Sequence, residues 1–449
     1  MTLPRTTRQI SGWGHYPVSE CLLLRPERYR QLKDLSGNVI ARGLGRSYGD
    51  AALNGGHEVM LMERIDRFLD FDAKSGLLRA EGGVSLEEIV NLFVPRGWFL
   101  PVTPGTKYVT LGGAFAADVH GKNHHGAGSF SDHVKEIEVI TPGSAKRCSP
   151  NDPLFQATAG GMGLTGIISE MTLQMQPIET AYIIAQHYAA ENFDAAIRLL
   201  DHQSLDAPYS VAWIDCLSTG KDFGRSILMC GRHAKKNELE MTKGDPLVLK
   251  PKRRHSVPFY CPGWVLNNWS IKAFNAMYYA AQSKKKDSFV IDYDSYFYPL
   301  DCIDNWNRMY GKRGFLQYQF VVPEAGGYEA LRGILTELTQ SGRRTFLAVL
   351  KRFGDGNTAP LSFPMRGYTL ALDMPITDEG LFPFLDTLDH RVHQAGGRVY
   401  LAKDARLSPE MFRAMYPRYG EWLQTKEAAD PKGIFQSDLS RRLRIGGSS

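Results

Sequence analysis

Three glycine-rich runs punctuate the first 170 residues, and they constrain this chain more than any other feature. ARGLGRSYGD, residues 41–50, follows the strand-like NVI and sets Gly43, Gly45 and Gly49 among Arg42, Arg46 and Ser47. PGTKYVTLGGAFAADVHGKNHHGAGSFSDHV covers residues 104–134, and AGGMGLTGII covers 159–168. Glycine permits positive φ and close backbone approach, so successive N–H groups can face one anion. One such run reads equally as a tight turn or as a phosphate cradle. Three in one unit predict a long ligand laid across several loops, its pyrophosphate held by backbone amides. The first run matches neither the P-loop nor a G-x-G-x-x-G that opens a long helix.

Strand-like stretches separate the runs: VIARGLG, VMLME, LLRAEGG, IEVITP and IISEMTLQM. A helix is predicted over SLEEIVNLFVPRG, where Ser85 and Glu88 have capping-box spacing. This first region is an α+β unit. From residue 181 longer alternating strands take over, SVAWIDCL, GRSILMCG, FLQYQFVVP, TFLAVLKRFG and YTLALDMP, with helices near 328–341 and 381–395. They predict a sheet with helices packed on one face. A length of 449 residues is compatible with two or three compact units. The apolar runs fall short of the ~20 residues that a spanning helix needs.

The net charge of +5 is unevenly spread. Residues 232–287 hold 12 Lys and Arg against 4 Asp and Glu, while the remainder carries 41 basic and 44 acidic residues. Within that segment KPKRRH precedes Phe259, Tyr260, Trp264, Val265, Leu266, Trp269, Ile271 and Phe274, and Lys284, Lys285 and Lys286 follow. Basic clusters flanking aromatics suit an anionic, greasy surface; they also suit an exposed loop and helix with solvated lysines and inward aromatics. The slightly acidic remainder argues against nucleic acid. Cys21, Cys148, Cys216, Cys230, Cys261 and Cys302 are scattered with no C-x-x-C, so they read as buried thiols in a reducing compartment. The N-terminal stretch has no apolar leader, which favours a cytoplasmic location. His120, His124, His125 and His133 cluster with Asp118, but their spacing fits no standard ligand pattern, and no metal is expected.

ARGLGRSYGD, HGKNHHGAGSF and GLTGII resemble the FAD-binding domain of the vanillyl-alcohol oxidase type. The likeness runs on through FLQYQFVVP, APLSFP, AKDAR, MYPR and DLSRRL, nearly the whole chain in order, and narrows to the branch that oxidises a polyprenyl-phosphate-linked ribose. It implies an α+β fold of two domains: 7–180 for FAD, 181–398 as a mainly antiparallel substrate domain, and 399–449 folding back to complete the first. It implies FAD contacts at Ala41, Arg42, Gly43, Leu44, Gly45, Arg46, Ser47, Tyr48, Gly49, Asp50 and Ala51. Further contacts are implied at Gly105, Thr110, Leu111, Gly112, Gly113, Ala117, Asp118, Val119, His120, Ile168, Tyr400 and Lys403. Flavoproteins of this type often carry a covalently bonded histidine before the serine of the first loop; here Arg46 stands in that slot, so noncovalent FAD is expected.

The activity implied is oxidation of the 2′-hydroxyl of a polyprenylphosphoryl-β-D-ribofuranose to the 2-keto sugar. That is the first half of an epimerisation to an arabinose donor for cell-envelope or glycan synthesis, completed by a separate NAD(P)H-dependent reductase. A sugar-lactone or alditol oxidase using dioxygen and a soluble polyol is the alternative on this fold, although such enzymes carry the covalent histidine and a His-Trp-Gly-Lys-type motif where this chain has Arg46 and AKDAR. A catalytically idle assembly partner is a third. The resemblance puts Lys403 near the pyrimidine edge of the flavin, His120 beside the ring as candidate base, and Tyr48 and Lys122 next to the flavin loops.

Alternation in FLQYQFV sets Gln317 and Gln319 on one face, where glutamines in an apolar strand need partners that a sugar would supply. Lys351 in LAVLKRFG is similarly odd and, by resemblance, lines the same pocket. In YTLALDMP alternation groups Thr369, Ala371 and Asp373, with Thr369 a substrate-side candidate; the family pattern has asparagine and cysteine at the first two places, a difference that bears on pocket shape. Residues 232–287 are the expected peripheral membrane contact, on the inner face, with the opposite face left open.

Overall fold

The computed structural model describes residues 3–35, 37–240, 244–250, 252–263, 265, 267–285 and 287–446. Lys243, Pro251, Trp264, Leu266 and Lys286 of the basic segment lie outside the described residues, as do 447–449.

Two small sheets carry the glycine runs. The first joins Arg5–Ser11, Val18–Leu24, Glu58–Leu61 and Val39–Arg42. The second joins Phe68–Asp72, Leu77–Glu81, Ile167–Gln174, Val134–Thr141 and Ser144–Cys148, all antiparallel. The helix Leu86–Phe93 packs Phe93 on Phe68 and Phe71 of the second sheet, and its start is the expected reciprocal cap: Glu88 N–H donates to Ser85 Oγ at 3.1 Å and Ser85 N–H to Glu88 Oε2 at 2.8 Å.

A third sheet of eight strands is antiparallel throughout, in the order Phe289–Asp292, Tyr182–Ala190, Ser226–His233, Tyr209–Ile214, Ala348–Phe353, Gly367–Pro375, Phe315–Pro323, Arg398–Val399. Helices Phe193–Asp206, Gly327–Ser341 and Leu381–Gln394 pack on one face. Gly327–Ser341 buries Leu331, Ile334, Leu335 and Leu338, the stripe of a helix with one buried side. The two helices expected near 328–341 and 381–395 share this face. Asn268–Gln282 lies across the opposite face, tethered by Asn275 Nδ2–H donating to Asp215 Oδ1 at 2.7 Å.

The C-terminal segment returns to the first glycine run. Tyr48 N–H donates to Ala402 O at 3.0 Å, Val39 pairs with Phe435, and Arg442 bridges Asp50 and Asp404, each at 2.8 Å. A Cβ on Gly49 would collide with the Asp404 carbonyl oxygen, so this junction requires glycine.

Cys21, Cys148, Cys216 and Cys230 are buried thiols, but Cys261 is only partly buried and Cys302 is exposed. The basic segment is also less free than its composition suggests: Lys252 pairs with Asp292, Arg254 with Asp304 and Arg232 with Glu238. Among the described residues no helix is long and apolar enough to cross a membrane.

Candidate active site

The glycine runs and the open face of the large sheet enclose one cavity of about 660 Å³. One end is backbone. Among the described residues, none of the N–H groups of Gly43, Leu44, Gly45, Arg46 and Ser47 donates to a protein acceptor, and Gly45 has φ +64°. Unpaired N–H groups along a loop form an anion-binding concavity. Across from them Thr110 Oγ1 caps the helix Leu111–Ala116 through Gly113 N–H at 3.2 Å. A Cβ on Gly105 would meet no protein atom within 4 Å and would project into open space. The cradle therefore fits a long phosphate-bearing ligand such as FAD.

Most of the expected flavin contacts line this cavity: Ala41, Gly43 to Tyr48, Ala51, Gly105, Thr110, Gly112, Gly113, Ala117, Val119, His120, Ile168, Tyr400 and Lys403. Arg42, Gly49, Asp50, Leu111 and Asp118 do not, and each has a different task. Arg42 donates to Ala52 O and Ser11 O beneath the loop. Asp50 takes Arg442, Gly49 admits the C-terminal segment, and Leu111 is in the core. Asp118 is fully buried, accepting from Ser131 N–H at 3.1 Å, Asn357 Nδ2–H at 2.8 Å and Ser362 Oγ–H at 2.5 Å. Arg46 is clamped between rings, its Cζ 3.9 Å from the Trp13 centroid and 4.9 Å from that of Tyr108.

The four histidines separate. His125 binds Ala207 O and His133 binds Ala127 O, while His124 packs on Phe353 at 4.5 Å. His120 alone lines the cavity. Burial, with Lys351 next, holds its pKa well below the ordinary value, so the ring is neutral.

The sheet face opposite is polar where alternation expects it to be. Gln317, Gln319 and Lys351 line the cavity, while Tyr318 points to the helix side and donates to Asp389 at 3.0 Å. Both glutamines already have protein partners: Gln319 Nε2 is 3.0 Å from His120 Nε2 and 3.2 Å from Thr369 Oγ1, and Gln317 Nε2–H donates to Asp373 Oδ1 at 2.5 Å. Thr369 does not line the cavity; it is buried behind Gln319 and donates to Phe320 O.

Three lysines converge on this space. Burial pushes Lys122 and Lys403 down to about 7 and Lys351 to about 8. Lys122 Nζ–H donates to Tyr296 O, and Lys403 Nζ lies 3.9 Å from the Tyr48 ring centroid. Such a cationic, half-desolvated wall suits an oxyanion. Asp373, grouped by alternation but assigned no role, faces Lys403 and is pushed up to about 6 by burial. Trp213 also lines the cavity, and the alternation of SVAWIDCL was the signal for it.

Two known families match separate stretches of the chain. The FAD binding domain family matches residues 27–149, and the D-arabinono-1,4-lactone oxidase family matches residues 312–443. Decaprenylphosphoryl-beta-D-ribose oxidase of Mycolicibacterium smegmatis is 40% identical over 98% of this chain and 98% of its own. The chain belongs to the decaprenylphosphoryl-β-D-ribose oxidase family. It is an FAD-binding oxidoreductase with the two-domain fold that the resemblance implies. Another member-length relative, a protein in the mprA 5′ region of Streptomyces coelicolor, is 34% identical over 81% of this chain and 100% of its own. L-gulonolactone oxidase 5 of Arabidopsis thaliana shares 33% identity over only 25% of this chain and 21% of its own.

Proposed function

We propose that the protein oxidises the 2′-hydroxyl of a polyprenylphosphoryl-β-D-ribofuranose to the 2-keto sugar. The observation that carries this reading is that one cavity joins the glycine cradle to a sheet face bearing two glutamines and three buried lysines. Residues 7–180 with 399–449 would form the FAD unit and 181–398 the substrate unit. When bound, FAD supplies the acceptor for the hydride that leaves the sugar carbon.

The chain's own residues handle the proton and the orientation. His120, neutral through burial, takes the hydroxyl proton. The Gln319 amide nitrogen can only donate, so Nε2 is the accepting nitrogen of the neutral ring and a hydroxyl that displaces the amide meets it, while Lys351 Nζ lies beside Nδ1. Gln317 and Gln319 orient the sugar, Tyr48 and Lys403 hold the flavin side, and Lys122 and Lys351 draw in the phosphate-bearing substrate. With Arg46 stacked on Trp13 and Tyr108, no histidine stands at the first-loop position for a covalent flavin bond, which supports noncovalent FAD.

A membrane-bound substrate asks for a surface contact, and the helix Asn268–Gln282 offers it: Trp269 is 86% exposed and Met277 66% exposed. We place that contact on the inner membrane face, with a NAD(P)H-dependent reductase consuming the keto sugar. The test is anaerobic mixing of the FAD-loaded protein with a prenylphosphoryl ribose or with free polyols. Bleaching of the visible flavin absorbance by the ribose ester is expected; bleaching by polyols alone would overturn the assignment in favour of a soluble-polyol oxidase.

A further inference from the structure

The cavity does not end at the lysines. Beyond Lys351 the same sheet face continues across four more strands to Phe289, about 19 Å at the usual inter-strand spacing. The register makes the row continuous: Gln319 pairs with Ala371, Ala371 with Val349 and Val349 with Trp213, while on the next strands Val211 pairs with Met229 and Met229 with His187. Side chains along this row pass from amide to apolar within two strands, and at the far end the His187 imidazole and Lys285 stand beside Phe289. The helix Asn268–Gln282 roofs the apolar part with Phe274 and Tyr278, one helical turn apart, and Tyr278 packs on Trp213 with centroids 4.9 Å apart.

This apolar arm is unexplained by an alcohol and a flavin alone. A polar sugar gains nothing from Val211, Met229 and Phe289, and the glycine cradle lies at the other end of the cavity. What fits is a ligand whose polarity changes along its length in the same order: hydroxyls at the glutamines, an oxyanion at the lysines, then hydrocarbon. The outer face of the roofing helix, where Trp269 and Met277 are exposed, continues the apolar path to the molecular surface.

We infer that the arm between this helix and the sheet holds the first isoprene units of the prenyl chain. The helix then has two apolar faces for two reasons, one roofing the chain and one meeting the lipid surface from which the chain comes. This inference rests on the reading of the substrate as a prenylphosphoryl sugar, and it adds where the lipid runs. It also predicts that recognition of the chain is separable from oxidation of the sugar.

Two measurements on the FAD-loaded full chain test it. In the first, farnesyl phosphate and methyl phosphate, neither of which carries a ribose, are titrated by calorimetry; farnesyl phosphate should bind at least tenfold more tightly, since each buried methylene contributes to transfer from water. In the second, methyl, dimethylallyl, geranyl and farnesyl esters of ribofuranosyl phosphate are compared as substrates, and KM should fall about tenfold with each of the first two isoprene units. Val211→Phe, which fills the arm, and Phe274→Glu, at a roof position 38% exposed and so tolerant of change, should each lower the farnesyl-to-methyl ratio of kcat/KM by about tenfold or more. If farnesyl phosphate binds and both variants weaken it while no ester bleaches the flavin, the arm stands and the assigned oxidation falls. If the esters bleach the flavin but chain length and both variants leave the ratio unmoved, the oxidation stands and the arm is refuted.

Discussion

Lys351 Nζ lies 3.4 Å from Nδ1 of His120. Burial first, and the neighbouring Lys351 next, hold the imidazole neutral well below its ordinary pKa. Replacing His120 by Gln should slow flavin reduction by about 10²–10⁴-fold, the usual contribution of a positioned base, while the FAD content of the purified protein stays the same. The pH profile of that rate should show no inflection near 6.5. Stopped-flow reduction across pH 5–9 checks both outcomes.

The lysines set the upper limb of substrate binding. Burial pushes Lys122 down to about 7 and Lys351 to about 8, so their positive charge is present below that range and is lost above it. Affinity for farnesyl phosphate should therefore weaken from pH 7 to pH 9. Calorimetric Kd values at several pH values, at constant salt, measure this.

Lys351 should also cost stability. Its folded pKa of about 8 lies below its ordinary 10.5, so at pH 7 both folded and unfolded chains are protonated and the full burial penalty is present. Between 8 and 10.5 the unfolded chain binds more protons, and the penalty fades as pH rises. Lys351→Met should raise the Tm at pH 7 by about 2–4 °C, with the gain shrinking toward pH 10, and should weaken phosphate binding. Thermal denaturation of both proteins at the two pH values decides it.

Two glycines that look alike in sequence should behave differently. Gly49→Ala drives a Cβ into the Asp404 carbonyl, so the junction with the C-terminal segment must move, and a loss of about 1–3 kcal/mol or more is expected. Gly105→Ala meets no protein atom, so the apoprotein should keep its Tm while FAD binds at least about tenfold more weakly. Denaturant titration of the apo forms and FAD titration separate the two.

Arg442 joins Asp50, at the end of the first glycine run, to Asp404, next to Lys403. Arg442→Ala leaves two buried carboxylates without their cation and should cost about 3–5 kcal/mol. Arg442→Lys should recover part of this. Equilibrium unfolding in urea gives the values.

The strands of the large sheet were legible because alternation is local: FLQYQFVVP is a strand from Phe315 to Pro323, and its period of two assigned Gln317 and Gln319 to one face without any knowledge of neighbours. The glycine runs were legible for the same reason, since glycine takes a crowded or left-handed backbone more readily than any other residue. Alternation cannot say which strands lie side by side, however: it groups Asp373 with Thr369 but gives no partner, and the partner is Gln317, 56 residues away, whose amide donates to it. Helix Asn268–Gln282 was ambiguous because it is apolar on two faces, and composition does not distinguish a face that roofs a cavity from one that meets solvent.

Sequence by itself determined the cradle, the FAD-binding class and the polar face of the substrate strands, all properties of contiguous residues. Tertiary structure alone decided that Arg42, Asp50 and Asp118 brace the loops rather than line the cavity, that Lys252 and Arg254 are already paired, and that the cavity has an apolar arm. Those depend on which distant segments meet, and a side chain's partner across the fold is set by packing, not by its neighbours in the chain.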